Sequence, residues 1–190
     1  MDFNEFPKIA RLSRECIITE KIDGTNGQIY IGEDGEFLVG SRTRWITPEN
    51  DNFGFARWAY DNKDDLMALG PGRHFGEWWG QGIQRGYALK EKRFSLFNVT
   101  RWTEAHPPCC DVVPVLWRGI FETDAVLMCL RDLIETGSVA SPGFMRPEGV
   151  VVYHVAANMY FKKTIEKDEE PKSKRRFVII SGYSQKMLDN

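Results

Sequence analysis

The sequence predicts an α+β fold in which antiparallel strands dominate and a few helices lie outside. Short runs rich in β-branched and aromatic residues alternate with turn signals through most of the chain. Two segments carry apolar residues at helical spacing instead. A length of 190 residues with 42% hydrophobic residues suffices for one continuous core. We therefore expect a single domain over residues 1–190.

Strands account for most of the first third. The runs 16–19 and 28–31 are rich in β-branched residues, and the run 37–39 follows a strong turn signal at 33–36. The segment 52–69 has mostly helical spacing and stops at Gly70-Pro71-Gly72, which predicts one helix there.

The rest of the chain continues with strands and one more helix. Strands are predicted over 74–80 and 94–99, and a helix over 124–135 that Gly137 ends. Two further strands are expected at 150–153 and 160–164. A mixed-charge loop over 165–176 and a closing strand over 177–180 complete the prediction.

Composition excludes some classes of protein. The formal charge of −2 and the pI near 6.0 give no global attraction to nucleic acid, so phosphate binding would need a local basic face. The four cysteines form no CxxC pair, which is typical of reduced thiols in a cytoplasmic protein. The segment 106–110 lacks a second ligand pair for structural zinc. We expect neither secretion nor membrane insertion, because no long apolar run occurs.

Lys21 opens the most informative segment, Lys21-Ile22-Asp23-Gly24-Thr25-Asn26. The segment is a polar, glycine-containing turn between two apolar runs, so it places one amine where a strand ends and a loop begins. A lysine in that position can act as a nucleophile. Taken alone, the segment favours a hairpin in which Asn26-Gly27 forms a primed turn and Lys21 is a solvated charge.

Four more elements follow Lys21 in a meaningful order. They are Ser41-Arg42-Thr43-Arg44, Phe75-Gly76-Glu77, Pro147-Glu148-Gly149-Val150-Val151 and Phe161-Lys162-Lys163-Thr164. Together with KxDG at Lys21, they resemble the covalent nucleotidyltransferase superfamily of DNA ligases, RNA ligases and mRNA capping enzymes, and within it the ATP-dependent RNA ligase family. The resemblance spans residues 20–164. It implies a ligase adenylation-domain fold, with antiparallel sheets on either side of a nucleotide cleft.

The chemistry that the resemblance implies needs these residue types. A neutral amine must attack the α-phosphorus of a nucleoside triphosphate, yet a free lysine has a pKa near 10.4. Desolvation and nearby positive charge both favour the uncharged form. The candidates for that charge are Arg42, Lys162, Lys163 and a divalent cation. The same cations would neutralise the triphosphate in the transition state.

The resemblance also implies a role for each matching residue. Lys21 would carry AMP, Arg42 would contact the ribose or the acceptor 3′ end, and Glu77 would accept a hydrogen bond from a ribose hydroxyl. Phe97 would stack on the base. Glu148 would support the catalytic Mg²⁺ or Mn²⁺.

The resemblance implies further roles for residues of the Lys21 turn and of the element Phe161-Lys162-Lys163-Thr164. Lys162 would hold the α-phosphate, with Lys163 as the alternative because the pair is adjacent here where many relatives have KxK. Glu20 is similar to a glutamate that helps several RNA ligases to read adenine. The resemblance also places Asp23, Gly24 and Asn26 at the nucleotide.

Length distinguishes between branches of the superfamily. Too few residues follow Thr164 for a C-terminal OB-fold, which DNA ligases and capping enzymes carry, and this favours the RNA ligase branch. The expected partners are ATP and RNA ends with a 5′-phosphate and a 3′-hydroxyl, in single strands or a nicked duplex. A protein partner would supply substrate-binding surface, or a basic face would do so. The residues proposed for that face are Arg85, Lys90, Lys92, Arg93, Arg101, Lys172, Lys174, Arg175 and Arg176.

Alternative functions remain at this point. A DNA ligase or a GTP-using capping-type transferase would keep the same chemistry with another nucleotide or substrate. A non-catalytic module would keep the cleft and bind nucleotide or nucleic acid without chemistry.

Overall fold

The structure is a computed structural model that describes residues 2–169. Two β-sheets face each other, and helices cover the outer side of each. The predicted closing strand at 177–180 lies outside the described residues, as do the basic residues Lys172, Lys174, Arg175 and Arg176.

The strands in chain order are β1 (Glu15–Lys21), β2 (Thr25–Ile31), β3 (Phe37–Ser41), β4 (Trp45–Ile46), β5 (Gly72–Gly80), β6 (Lys92–Leu96), β7 (Asp111–Val112), β8 (Val115–Ile120), β9 (Gly149–His154) and β10 (Met159–Thr164). The α-helices are α1 (Phe55–Asp61), α2 (Lys63–Leu66) and α3 (Thr123–Thr136). Single 3₁₀ turns occupy Met67–Leu69 and Gly86–Ala88.

One sheet has four strands in the order β10-β9-β1-β8, and the other has six in the order β4-β3-β2-β5-β6-β7. All neighbours are antiparallel except the short pair β6 and β7. The chain passes from one sheet to the other between β1 and β2. The Lys21 turn is therefore one connection between the sheets, and the segment between β7 and β8 is another.

Three apolar clusters hold the layers together. One lies between the six-stranded sheet and the helices α1 and α2, and a second lies between the four-stranded sheet and α3. The third lies between the two sheets and includes Ile17, Trp79 and Tyr87. Residues 16–18 of β1 are all buried because both faces of this strand are covered.

The first predicted helix is interrupted in the structure. Instead of one helix over 52–69, α1 ends at Asp61, α2 begins at Lys63, and a 3₁₀ turn follows. Asn62 between them has φ −107° and ψ 20°, and its side-chain amide donates to the Trp58 carbonyl at 2.8 Å. This local bond competes with helix continuation, which is a known tendency of asparagine.

The remaining predicted elements agree closely with the structure, with a few differences. The helix over 124–135 is α3, and Gly137 with φ +86° follows its end. The strand predicted over 94–99 ends earlier, at Leu96. Asn26 and Gly27 lie inside β2, so the alternative of a hairpin turn at these residues is wrong.

Candidate active site

Lys21 is the last residue of β1, and its side chain lies on the face that is turned toward the six-stranded sheet. Side chains alternate along a strand, so Ile17, Thr19 and Lys21 share this face, and Ile17 packs into the cluster between the sheets. Cys16 and Ile18 point the other way, into the cluster with α3. The alternation thus directs the amine into the space between the sheets.

The Lys21 amine is paired with a buried carboxylate. Its Nζ donates a hydrogen bond to Oε2 of Glu148, and the two groups form an ion pair. Glu148 directly precedes β9, whose first residue, Gly149, is the register partner of Lys21. The Glu148 side chain is 2% exposed and that of Lys21 is 18% exposed. The pairing supplies the compensation that a buried carboxylate requires.

Carboxylates lie beside Lys21, and the cationic pocket expected from the sequence stays a prediction. Two carboxylates interact with the Lys21 amine: Glu148 contacts it, and Glu77 interacts with it electrostatically. Of the predicted cations, Arg42 is exposed and Lys163 forms an ion pair with Asp168.

Glu77 holds the turn that follows Lys21. Its Oε1 accepts a hydrogen bond from the Gly24 backbone N–H at 3.1 Å, and its Oε2 accepts one from the Asn26 amide at 3.2 Å. Burial raises the pKa of Glu77 from 4.5 to about 7, although Lys21 and the Gly24 bond lower it. The predicted contact between Glu77 and a ribose hydroxyl stays a prediction.

Gly24 is required where the turn crosses β5. A Cβ at this position would lie 2.4 Å from the Trp78 carbonyl oxygen and 2.8 Å from the Trp79 Cβ. No side chain fits such an approach. The glycine of the KxDG segment is thus explained by packing of the turn on the six-stranded sheet.

Asp23 is held from two sides by the segment after β5. Arg85 Nε donates to its Oδ2 at 3.1 Å, and the Asp23 backbone N–H donates to the Tyr87 hydroxyl at 2.9 Å. Arg85 also donates to the carbonyls of Arg146 and Pro147, at 3.0 and 3.4 Å. One guanidinium therefore joins the nucleophile turn to the segment that leads into Glu148.

The segment that supplies Arg85 and Tyr87 has an unusual backbone. Gly82, Gln84, Gly86, Tyr87 and Ala88 all have φ between +46° and +75°. Such strain at non-glycine residues persists only where the surroundings fix it, and it concentrates at functional sites. Tyr87 is fully buried, and its carbonyl accepts a hydrogen bond from the Ser141 hydroxyl at 2.9 Å.

The sequence did not reveal these roles. It placed Arg85 in an exposed basic face, whereas the structure turns Arg85 inward with a side chain that is 25% exposed. The glycines at 80, 82 and 86 were the available signal that the segment is tightly turned.

Glu20 lies on the sheet face opposite to Lys21 and anchors the loop after α3. Its carboxylate accepts hydrogen bonds from the Ser138 hydroxyl at 2.6 Å and from the Val139 and Ala140 N–H groups at 2.8 and 2.9 Å. Burial raises the pKa of Glu20, and these three bonds lower it. Both carboxylate oxygens are thus occupied by protein donors, and the predicted role in adenine reading stays a prediction.

The structure separates the two lysines of β10. Lys162 is the register partner of Val151, and Val151 is the partner of Thr19, so Lys162 shares the face of Lys21. Lys163 lies on the opposite face and donates to Asp168 Oδ2 at 2.8 Å. Of the two, Lys162 is the one on the side of the cleft.

Phe97 and Arg42 lie on the six-stranded sheet. Phe97 directly follows β6 and packs against the cluster between the sheets. Ser95 is the register partner of Glu77, and Phe97 comes two residues after Ser95, so Phe97 lies on the same sheet face as Glu77. Arg42 is exposed on the hairpin between β3 and β4, and it forms no ion pair within residues 2–169. Phe97 therefore lies between the sheets, whereas Arg42 lies at the rim.

The donor set fits a metal that arrives with a phosphate ligand. Among residues 2–169, no group of three or more His, Cys, Asp or Glu side chains could hold a metal ion unaided. Glu148 offers a carboxylate beside the amine, and Mg²⁺ or Mn²⁺ prefers oxygen ligands. Mg²⁺ is commonly held by one or two carboxylates together with substrate phosphates, which is the arrangement that Glu148 allows.

A separate cavity of about 480 Å³ lies against Trp79, Ser95, Trp102, Arg118 and Val139. None of the residues predicted for the site lines it.

Among the helices of the described part of the chain, none has the length and apolar character that a membrane crossing requires.

Comparison with known proteins identifies relatives of this arrangement. A family model described as RNA ligase matches residues 14–168. No match was found among curated proteins.

Solved structures of an RNA ligase from Naegleria gruberi are also similar to the chain. A mutant with AMP and Mn has a TM-score of 0.60 at 20% identity, and a mutant with ATP and Mn has a TM-score of 0.63 at 20% identity. In both comparisons the match covers 80% of this chain and 50% of the other, so the chain spans about half the length of these structures. The likeness confirms the predicted α+β fold, with antiparallel sheets and a few helices.

Proposed function

The chain belongs to the RNA ligase family, and on that premise we propose that it is an ATP-dependent RNA ligase-like nucleotidyltransferase that carries AMP on Lys21. The observation that supports this most directly is the pairing of the Lys21 amine with Glu148 between the two sheets. The Naegleria gruberi structures with AMP or ATP and Mn point to the same nucleotide and to a divalent metal.

The proposed reaction has three steps. The Lys21 nitrogen attacks the α-phosphorus of ATP, a P–N bond forms, the bond to pyrophosphate breaks, and the amine loses its proton. A 5′-phosphate oxygen of RNA then displaces Lys21 and takes the AMP. Finally, a 3′-hydroxyl oxygen attacks that 5′-phosphorus, AMP leaves, and the strand is joined.

Each residue of the site contributes to positioning or charge in this proposal. Glu148 would hold Mg²⁺ or Mn²⁺, which supplies Lewis-acid stabilisation of phosphate charge when it is bound. Lys162 would contact the α-phosphate, and Phe97 would stack on adenine. Glu77 keeps the nucleophile turn in place through Gly24 and Asn26.

Joining is proposed separately from self-adenylylation. The matched structures extend over about twice the shared region. We propose that residues 1–190 act as one nucleotidyltransferase domain and that a protein partner adds RNA-binding surface for joining. Nicked duplex and single strands are both proposed acceptors.

The test is label transfer from α-labelled ATP in the presence of Mg²⁺ or Mn²⁺. The wild type should gain acid-labile label, and Lys21→Ala should gain none. A wild type without label, or equal labelling of Lys21→Ala, contradicts the proposal. Lys163→Ala serves as a matched control, because Lys163 pairs with Asp168 on the other sheet face.

The alternatives give different results in the same assay. Preferential labelling by α-labelled GTP would indicate a capping-type transferase, and sealing of nicked DNA in preference to nicked RNA would indicate a DNA ligase. Retention of nucleotide or RNA on a filter without label transfer would indicate a non-catalytic module.

A further inference from the structure

The outer part of the six-stranded sheet exposes aromatic side chains on the same face as Glu77. The register pairs Asn26 with Glu77, Gln28 with Phe75, and Tyr30 with Arg73, and paired residues point to one face. The opposite face of these strands is buried under α1 and α2. Phe75 is 51% exposed, although Glu77, two residues further along β5, is buried.

Tyr30, Trp45 and Arg73 form one cluster, and Phe75 lies two residues from Arg73 on the same face of β5. The Arg73 guanidinium carbon lies 5.0 Å from the Tyr30 ring centre and 5.4 Å from the Trp45 ring centre. The rings of Tyr30 and Trp45 are 6.2 Å apart. We call Tyr30, Trp45, Arg73 and Phe75 the aromatic face.

Gly40 allows Trp45 to lie across the sheet. A Cβ at Gly40 would come within 3.1 Å of the Trp45 ring, so the indole rests directly on the backbone of β3. Trp45 nevertheless remains 44% exposed. A large ring that is held in place but left accessible provides a stacking surface.

Positive charge lies within the aromatic face and at the end of it that is nearer the site. Arg73 belongs to it, and Arg42 and Arg44 are exposed on the hairpin after β3, at the end nearer Asn26. None of the three forms an ion pair within the described residues. The acidic turn at 33–36 lies at the opposite end of β2 and β3. The available surface therefore runs from the site outward for roughly 14 Å, at about 3.4 Å per strand residue.

We propose that the aromatic face binds the single-stranded RNA segment next to the end that reacts at Lys21. The inference rests on the proposed function, since it assigns a substrate surface to that site. Exposed rings that stack on bases, combined with arginines for phosphates, are the means by which proteins hold single strands. The face is continuous with Asn26 and Glu77, so a strand on it leads into the site.

The test measures the affinity of the full chain for a short, end-labelled oligoribonucleotide by fluorescence anisotropy, without ATP. Phe75→Ala and Trp45→Ala should each weaken binding about fivefold or more. Arg73→Met should weaken binding and reduce its salt dependence.

Matched controls lie on the other side of the sheet. Phe53 is 51% exposed, as Phe75 is, and precedes α1, and Arg57 is exposed on α1. Phe53→Ala and Arg57→Met should leave RNA affinity unchanged. Equal affinities of Phe75→Ala and the wild type, or an equal loss in Phe53→Ala, would overturn the inference.

Two further outcomes separate this inference from the proposed function. A wild type that takes no label from ATP, yet binds RNA through Phe75 and Trp45, contradicts the proposed function and supports the aromatic face. Self-association of the wild type that Trp45→Ala abolishes, with no RNA binding, would assign the face to a second copy and overturn the inference. Equal affinity for DNA of the same sequence would overturn its assignment to RNA.

Discussion

Lys162 and Lys163 are neighbours on β10 but serve opposite sides of the four-stranded sheet. Lys162 is in register with Val151 and Thr19, and Thr19 lies on the same face of β1 as Lys21. Lys163 donates to Asp168 on the other face. The alternation of side chains along β10 therefore places Lys162 on the side of the cleft, and the contact of Lys162 with the α-phosphate stays a prediction.

Substituting each lysine in turn should separate their roles. We expect Lys162→Ala to slow adenylylation of Lys21 about a hundredfold, because a cation that stabilises transition-state charge typically contributes that much. Lys163→Ala should change the rate less than about threefold, since its surface ion pair contributes little. Single-turnover labelling with α-labelled ATP measures both. Equal rates for the two variants would contradict the assignment.

Protonation of Glu77 should make the fold more stable in mild acid. Burial raises the pKa of Glu77 from 4.5 to about 7 in the folded state. The folded chain then binds more protons than the unfolded chain between these values, so the free energy of unfolding falls as pH rises through this window. The contribution of this one group amounts to about 3 kcal/mol at most.

Glu77→Gln should flatten that pH dependence. The amide keeps the shape of the side chain but does not titrate, so the difference in unfolding free energy between about pH 5 and pH 8 should shrink in the variant. Urea denaturation at both pH values measures the difference. An unchanged difference would show that other groups cause the pH dependence.

Much of the site could be predicted from the sequence because its residues sit in local patterns. Lys21, Asp23 and Gly24 form one turn, and Glu148 directly precedes a β-rich run. Turn chemistry and strand propensity act within a few residues, so such positions are visible without tertiary structure. The pairing of Lys21 with Glu148 then follows from the register of β1 and β9.

The features that the sequence did not predict depend on contacts between segments that are distant in sequence. Strand β8 was not predicted, because Arg118 and Gly119 interrupt its apolar residues, yet pairing with β1 stabilises it. Ser138 reaches Glu20 across 118 positions in sequence, and no local pattern marks it. Tertiary pairing overrides weak local preference in both cases.

The Glu20 carboxylate should contribute to stability through the loop that it anchors. Ser138→Ala removes one hydrogen bond and should lower the free energy of unfolding by about 1 kcal/mol. Glu20→Ala leaves three donors without their acceptor and should cost roughly 3 kcal/mol. Thr136→Ala is the control and should have a small effect, because the Thr136 hydroxyl is exposed and donates to the carbonyl of Asp132 one turn earlier in α3.

Ser138→Ala and a second variant, Glu20→Gln, test the role of Glu20 in adenine reading. If Glu20 only anchors the loop, Ser138→Ala and Glu20→Gln should leave the preference for ATP over GTP unchanged. A loss of that preference in Glu20→Gln alone would support adenine reading. Competition between labelled ATP and unlabelled GTP measures it.

Arg85 should set the relative position of Lys21 and Glu148. It contacts Asp23 on the nucleophile turn and the carbonyls of Arg146 and Pro147 before Glu148, so its removal frees both segments at once. We expect Arg85→Met to slow adenylylation at saturating ATP by roughly ten- to a hundredfold, because small displacements of reacting groups are costly. Arg85→Lys should recover part of the rate, since it keeps the charge but lacks the planar fork.

The control and a second measurement distinguish positioning from general stability. Arg93 pairs only with Glu91 among its described contacts, at 2.6 Å, so Arg93→Met should retain the wild-type rate. Hydrogen exchange should show faster exchange at residues 22–24 and 146–149 in Arg85→Met, with the α3 amides unchanged. A lower rate with uniform loss of protection would indicate global destabilisation instead. Unaltered exchange at both segments would exclude Arg85 as their connection, whatever the rate.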